Sequence, residues 1–239
     1  MRAANISGLI RLAAALLLLG AFIITPVKTT RARKVAGAER SRPRAFKSGG
    51  RETAETFPGR PSAEAVRWAA AQLRLMSLDE KLGQLISIGI NGKFLNQNSA
   101  AYRALRHQVV DNHVGGIVLF HGGVYESVHI ANRMQGLARY PLLISADMEF
   151  GAGMRFDDTV NLPWNMAVGA TGNPQYAQRQ GEIIAREARA LGVRQIFGPV
   201  VDVNNNAGNP IINVRAYSED PAEVANFSAA FIKGAQGNG

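Results

Sequence analysis

The sequence contains no cysteine among its 239 residues. This absence excludes disulfide bonds, a thiol nucleophile, thiolate metal ligands and a lipid-modified N-terminal cysteine. The sequence also contains neither G-x-x-x-x-G-K nor G-x-G-x-x-G, the patterns with which many nucleotide-binding proteins hold phosphate groups. The pattern G-x-S-x-G is absent as well, which excludes the strained serine nucleophile of α/β-hydrolases.

Excess charge is found only at the N-terminus. The net charge is +9, and residues 1–60 hold 12 of the 27 Lys and Arg residues but only 3 of the 18 Asp and Glu residues. Residues 61–239 therefore hold 15 charges of each sign, which gives no composition signal for a basic binding face. We expect no nucleic-acid partner for this part of the chain.

One long apolar run is present, Leu12–Ile24, and Arg2 and Arg11 precede it. This pattern is typical of a secretory signal, and its length also suits an uncleaved anchor. We interpret residues 1–27 as one of these two, so the protein is exported to the periplasm or the extracellular space. Any membrane contact would then be made through this segment alone. Residues 28–61 are rich in Arg, Lys, Ser, Gly, Pro and Thr, which predicts a basic disordered linker.

Residues 62–239 alternate between helix and strand patterns. Ser77 and Glu80 form a capping box, which marks the start of a helix. The apolar periodicity predicts strands at 86–90, 115–120, 141–147 and 196–201, and helices at 99–112, 125–138, 174–191 and 221–236. The runs at 115–120 and 195–201 predict buried strands. Alternating strands and helices predict an α/β fold with a parallel sheet. This pattern fits both a doubly wound sheet and a (β/α)8 barrel.

Two acidic residues stand at the end of the predicted third strand. Asp147 directly follows an apolar run. A carboxylate at that position must be solvated, paired with another group or engaged in function. It either accepts hydrogen bonds from substrate hydroxyl groups or accepts them from loop amides. Glu149 lies two residues further on and can face the same way. It either forms a carboxylate pair with Asp147 or braces the loop.

A long polar loop, residues 202–220, follows the predicted fourth strand and is rich in Asn and Gly. Loops at the carboxyl ends of parallel strands commonly hold substrates. Arg215 stands alone among uncharged residues near the end of this loop. Its guanidinium group suits a carboxylate or sugar oxygens. The alternative is a salt bridge to Glu219 or Asp220.

An ordered set of segments resembles the N-terminal domain of family 3 glycoside hydrolases. The set comprises residues 80–85 (EKLGQL), 115–120 (GGIVLF), 141–151, 162–163 with Gly169, 190–193 and 199–221. The segment from Asp147 to Arg155 is similar to the β-N-acetylhexosaminidase branch. The resemblance covers about residues 65–239 and is specific because the pieces occur in family order.

The resemblance implies a (β/α)8 TIM-type barrel and retaining hydrolysis of β-linked sugars from the non-reducing end. It implies that Asp147 and Arg215 bind the sugar substrate, and it implies neither a cofactor nor a metal. The expected activity is that of a β-N-acetylhexosaminidase. A β-glucosidase of the same family and a non-catalytic sugar-binding protein remain as alternatives.

The resemblance also indicates what residues 62–239 lack. In the family, the acid/base and the nucleophile follow in later segments, so we expect no catalytic residue within this chain. A complete barrel takes about 250 residues, and only the first four or so βα units are expected here. We therefore expect a C-terminally truncated barrel domain that is inactive alone. Because its first and fourth strands would have unpaired edges, we also expect it to aggregate.

Overall fold

The computed structural model describes residues 61–237. The predicted signal or anchor, residues 1–27, lies outside the described residues, as does all of the predicted linker except Pro61. Among residues 61–237, no helix is both long and apolar enough to cross a bilayer.

Strands and helices alternate along the described part of the chain. Its four strands, β1 to β4, span Ser87–Gly92, Gly116–Gly122, Leu143–Asp147 and Gln195–Phe197. Its seven α-helices, α1 to α7, span Ala63–Leu75, Leu78–Gln84, Ala100–Val110, Val124–Leu137, Asn165–Gly169, Pro174–Ala190 and Pro221–Gln236. Two short 3-10 helices span Ala152–Met154 and Asn213–Arg215.

The four strands form one parallel sheet in the order β1-β2-β3-β4. A doubly wound sheet reverses its strand order at a switch point and carries helices on both faces. Here the order follows the sequence without reversal, which is the order of strands in a (β/α)8 barrel. The predicted parallel sheet is confirmed, and of the two architectures left open by the sequence, the structure has the barrel-type order.

The two faces of the sheet differ in burial. Side chains alternate between faces along each strand, and one face carries Ile117, Leu119, Ile144 and Ala146, all buried in the core against the helices. The opposite face carries apolar side chains that are exposed, among them Phe120, Leu143 and Phe197. The helices therefore cover only one side of the sheet.

The fourth strand is shorter and more exposed than the sequence predicts. The run at 195–201 predicts a buried strand through residue 201, but β4 ends at Phe197, which is 44% exposed. The prediction of a buried strand is wrong because apolar content reports a buried environment only when both faces of the sheet are covered. Here the face of β4 that carries Phe197 has no covering layer among the described residues.

Polar capping residues start the helices where the sequence indicates. The Ser77 hydroxyl accepts from the Glu80 N–H at 3.2 Å, and Glu80 in return accepts from the Ser77 N–H at 2.8 Å. The predicted capping box is therefore confirmed. Asp220 accepts from the Ala222 N–H at 2.7 Å, with Pro221 at the first position of α7.

Helices α6 and α7 pack with their backbones in contact at two glycines. A Cβ atom at Gly181 would lie 2.2 Å from the Phe231 carbonyl oxygen, and one at Gly234 would lie 2.0 Å from the Gln178 carbonyl oxygen. Real Cβ atoms do not approach backbone oxygens this closely, so any larger residue at either position would push the helices apart.

Replacing Gly234 by Ala is therefore expected to destabilise the fold by about 1–3 kcal/mol, which is the usual cost of overpacking. The matched control is Gly136→Ala, because Gly136 lies in α4 with nothing within 4 Å of its Cβ position. The control is expected to raise stability by up to about 1 kcal/mol through helix propensity. Urea unfolding of both variants measures the difference, and equal midpoints would contradict the packing argument.

Candidate functional site

The two longest loops of the sheet lie at one edge. Residues 148–164 follow β3 and residues 198–220 follow β4. Because parallel strands end on the same side, both loops begin at the carboxyl edge of the sheet. Asp147 is the last residue of β3 and is paired in register with Phe197 of β4. This edge is the candidate site.

Asp147 lies on the sheet face that the helices leave uncovered. Its side chain is 25% exposed, and its Oδ2 accepts a hydrogen bond from Nη2 of Arg155. No protein donor to Oδ1 is found within residues 61–237. One carboxylate oxygen is thus held by an arginine, and the other is available to a ligand.

Arg155 is positioned by β2. Its carbonyl oxygen accepts from the Gly122 N–H at 3.2 Å, and its guanidinium carbon lies 5.3 Å from the centre of the Phe120 ring. Such a distance allows a cation–π interaction. The buried Nε of Arg155 has no partner in the described part of the chain.

Glu149 and Arg215 form a bidentate ion pair between the two loops. Nε of Arg215 donates to Oε2 of Glu149 at 2.8 Å, and Nη2 donates to Oε1 at 2.7 Å. The Glu149 side chain is 6% exposed and that of Arg215 is 32% exposed. Because both carboxylate oxygens are engaged, the structure supports the interpretation that Glu149 braces the loop.

The alternative partners predicted for Arg215 are wrong. Asp220 caps helix α7 and Glu219 is exposed, so neither carries the ion pair. The sequence suggested them because they are neighbours along the chain. The actual partner is 66 residues away, and only the adjacency of β3 and β4 brings it close.

The backbone of Arg215 is also hydrogen-bonded, and its positive charge is stabilised by nearby carboxylates. Its carbonyl oxygen accepts from Nδ2 of Asn165 at 2.8 Å, and Asn165 is only 1% exposed. Hydrogen bonding to Glu149 is the main reason that the pKa of Arg215 is raised, and the negative charges of Asp202 and Asp147 add to it. The structure therefore brings Asp147 and Arg215, the two predicted site residues, into one electrostatic environment.

A glycine makes the loop after Glu149 possible. Gly151 has a backbone φ of 116°, a value that residues other than glycine rarely adopt. A Cβ atom there would also lie 2.8 Å from the carbonyl oxygen of Val160. The turn at Gly151 leads the chain back across the edge of the sheet towards Arg155.

Aromatic side chains border the acidic residues. Phe120 is 40% exposed and Phe197 is 44% exposed on the open face. The Phe150 and Trp164 rings contact each other at a centroid distance of 3.9 Å, in the loop that follows Glu149. Exposed aromatic faces next to hydrogen-bonding groups are typical of sites for small polar ligands with an apolar face.

Sequence reasoning missed several residues of this site. Arg155 ends the segment from Asp147 that resembles the family, but the position of Arg155 in the sequence indicates no role for its side chain. Apolar runs predict buried strands, so the sequence places Phe120 and Phe197 in the core, whereas both are exposed. Asn165 carries no sequence signal at all.

Among residues 61–237, no group of three or more His, Asp and Glu residues is arranged to hold a metal ion.

Comparison with known proteins assigns the chain to a family. Residues 77–239 match the model of the glycosyl hydrolase family 3 N-terminal domain. The chain belongs to glycosyl hydrolase family 3. Solved structures of this family share the fold, and the four-stranded sheet is therefore part of a (β/α)8-type barrel, as the resemblance implies.

Relatives of this family 3 domain are named as hexosaminidases or as β-glucosidases. A β-N-acetylglucosaminidase/β-glucosidase of Cellulomonas fimi is 35% identical over 176 residues, which are 74% of this chain and 30% of the relative. A β-hexosaminidase of Stenotrophomonas maltophilia (strain K279a) is 33% identical over 160 residues, which are 63% of this chain and 45% of the relative. The family 3 domain thus spans less than half the length of these relatives.

Two solved structures are similar to the family 3 domain. A β-glucoside phosphorylase, BglX, bound to 2FGlc superposes with a TM-score of 0.66 at 29% identity, covering 74% of this chain and 31% of that protein. A family 3 β-N-acetylglucosaminidase from Paenibacillus sp. str. FPU-7 superposes with a TM-score of 0.60 at 33% identity. That match covers 68% of this chain and 31% of that protein.

The Glu149–Arg215 pair is expected to be strongly coupled. A double-mutant cycle with Glu149→Ala and Arg215→Ala is expected to give a coupling energy of about 2–3 kcal/mol, because each single change leaves a buried or half-buried charge unpaired. Chemical denaturation of the four proteins measures it.

The matched control cycle uses Arg179 and Glu182, an exposed pair three residues apart on α6 with an N–O distance of 2.9 Å. Its coupling is expected to be several-fold smaller, because water screens exposed ion pairs. If the two cycles gave equal couplings, Glu149 would not be the residue that holds Arg215.

Proposed function

We propose that this chain is the sugar-binding part of an exported β-N-acetylhexosaminidase, which removes terminal sugars from the non-reducing ends of β-linked glycans with retention of configuration. Family membership supports glycoside hydrolysis. The names of the relatives from Cellulomonas fimi and Stenotrophomonas maltophilia support an N-acetylhexosamine as the terminal sugar.

The free oxygen of Asp147 carries the proposal. An ionised carboxylate accepts hydrogen bonds only, so it suits the donor hydroxyl groups of a sugar. Oδ2 of Asp147 accepts a hydrogen bond from Arg155. This contact orients the carboxylate and therefore sets the direction of the free Oδ1. The exposed rings of Phe120 and Phe197 lie on the same face and offer apolar contact to a pyranose ring.

Arg215 has hydrogen-bonding capacity left for the same ligand. A guanidinium group has five N–H donors, and three contacts are formed, two to Glu149 and one to the Ile211 carbonyl oxygen. The remaining donors suit the oxygen atoms of a sugar. Fixed donors on Arg215 and a fixed acceptor on Asp147 together distinguish the hydroxyl pattern of a ligand.

We propose that the described residues bind the sugar and do not cleave it. That mechanism needs a nucleophilic carboxylate and an acid/base group, with carboxyl groups about 5–5.5 Å apart in the usual case. Arg215 engages both carboxylate oxygens of Glu149, and Arg155 engages Oδ2 of Asp147. The proposal therefore assigns binding to this chain and leaves bond cleavage to groups outside residues 61–237.

The 239-residue chain is thus expected to bind N-acetylglucosamine without hydrolysing a chromogenic β-N-acetylglucosaminide. Asp147→Asn is expected to weaken binding by about tenfold or more, the usual worth of a hydrogen bond to a charged group. Calorimetric titration and a release assay measure the two quantities.

Asp158→Asn is the control, because Asp158 is an exposed carboxylate in the same loop that forms no ion pair in the described part of the chain. It is expected to bind like the parent. Robust turnover that is lost on Asp147→Asn or Glu149→Gln would contradict the separation of binding from catalysis. Equal binding by Asp147→Asn and the parent would remove Asp147 from the site.

A glucoside is the second candidate ligand. The Cellulomonas fimi relative is also named a β-glucosidase, and the similar structure with a TM-score of 0.66 is a β-glucoside phosphorylase bound to 2FGlc. Glucose in the same titration separates the two sugars. Tighter binding of glucose than of N-acetylglucosamine would favour the glucosidase alternative, and turnover would exclude a non-catalytic sugar-binding protein.

Export is part of the proposal and rests on residues 1–27 alone. A basic start followed by the apolar run Leu12–Ile24 is the observation that supports it. The chain is expected in the periplasmic or secreted fraction of a bacterial host, and deletion of residues 1–27 is expected to retain it in the cytoplasm. Cytoplasmic retention of the undeleted chain would argue against export.

A further inference from the structure

A cavity lies between the loop that follows β1 and two helices. Residues 93–98, which follow β1, form its roof, and helices α3 and α4 form its walls. Its volume is ≈390 Å³, which lies within the range of pockets that hold small ligands, about 300–1,000 Å³. Neither Asp147 nor Arg215 lines it.

The cavity is positively charged. Lys93 and Arg133 line it, and none of its lining residues is an Asp or a Glu. Nε of Arg133 donates to the hydroxyl of Tyr102 at 3.1 Å, and Tyr102 is 5% exposed. The hydrogen bond to the buried tyrosine orients the guanidinium group of the exposed Arg133, whose terminal nitrogens have no partner within residues 61–237. A fixed guanidinium with free terminal donors suits a carboxylate.

The roof of the cavity carries neutral hydrogen-bonding groups and an aromatic ring. The side-chain amides of Gln97 and Asn98 line the cavity without a protein partner in the described part of the chain. Nη1 of Arg103 donates to the Asn98 carbonyl oxygen at 2.5 Å, which ties this loop to α3. Phe94 is 73% exposed at the same place. Amides beside an exposed ring are suited to hydroxyl groups and to the apolar face of a sugar.

We propose that this cavity is an accessory site for a saccharide that carries a carboxylate, such as a hexuronic acid. The charge of the ligand is inferred from Lys93 and Arg133, and its saccharide nature rests on the proposed function. The loop that forms the cavity starts next to Gly92, which is paired with Gly122 at the carboxyl edge of the sheet. The loop that forms the accessory site and Asp147 are therefore both found at the carboxyl edge of the sheet.

The test is a calorimetric titration of the 239-residue chain with a glucuronic acid disaccharide, with neutral diacetylchitobiose and with acetate. The acidic disaccharide is expected to bind the accessory site. Arg133→Gln and Lys93→Gln are each expected to weaken that binding by about tenfold or more, because each removes a charged donor. The exposed Lys93 provides a second variant if Arg133→Gln fails to fold.

Matched controls remove the same charges elsewhere. Arg67→Gln on α1 and Lys233→Gln on α7 both change exposed residues and are expected to leave binding of the acidic disaccharide unchanged. Binding that is unaffected by Arg133→Gln and Lys93→Gln would overturn the inference. Acetate that binds as tightly as the disaccharide would also overturn it, because the site would then recognise an anion and not a saccharide.

Asp147→Asn separates this inference from the proposed function. Asp147→Asn is expected to lose affinity for N-acetylglucosamine and to keep its affinity for the acidic disaccharide. Loss of both would place the acidic sugar at the first site and overturn the inference. If the parent chain fails to bind N-acetylglucosamine but binds the acidic disaccharide through Arg133, the proposed function fails and the accessory site stands.

Discussion

The ion pair between Glu149 and Arg215 joins the loops that follow β3 and β4, and the site at the edge of the sheet depends on it. Glu149 is buried and would be costly to leave unpaired. Arg215 is held at its backbone by Asn165 as well. These contacts fix the long loop 198–220 against the end of β3. The position of Arg215 relative to Asp147 follows from this attachment.

The sheet explains why the site is open. Helices bury one face through residues such as Ile117 and Ile144, while Phe120, Leu143 and Phe197 remain exposed on the other. Within the described residues, β1 pairs only with β2, and β4 pairs only with β3. In a closed barrel both edges are paired and the inner face is filled by side chains. Asp147 therefore lies on a surface that a complete barrel encloses.

Much of the local structure could be predicted because local signals determine it. The capping box at Ser77 and the start of α7 at Pro221 depend on neighbours within a few residues, and the apolar periodicity located all four strands. Strand ends were less predictable. The run at 196–201 has no polar side chain, and periodicity alone cannot show that only residues 195–197 find a partner in β3. The same run predicts a buried Phe197, whereas its side chain is 44% exposed.

The sequence by itself determined the order of strands and helices, the family, and Asp147 and Arg215 as the polar residues to examine. These features are read from neighbours along the chain and from motifs in a fixed order. Only the tertiary structure decided that Arg215 pairs with Glu149, that Arg155 holds Asp147, and that Tyr102 fixes Arg133 beside a cavity. Each of these contacts joins residues on different elements, and its partner is selected by the parallel register of the strands and the packing of the helices, which no local pattern contains.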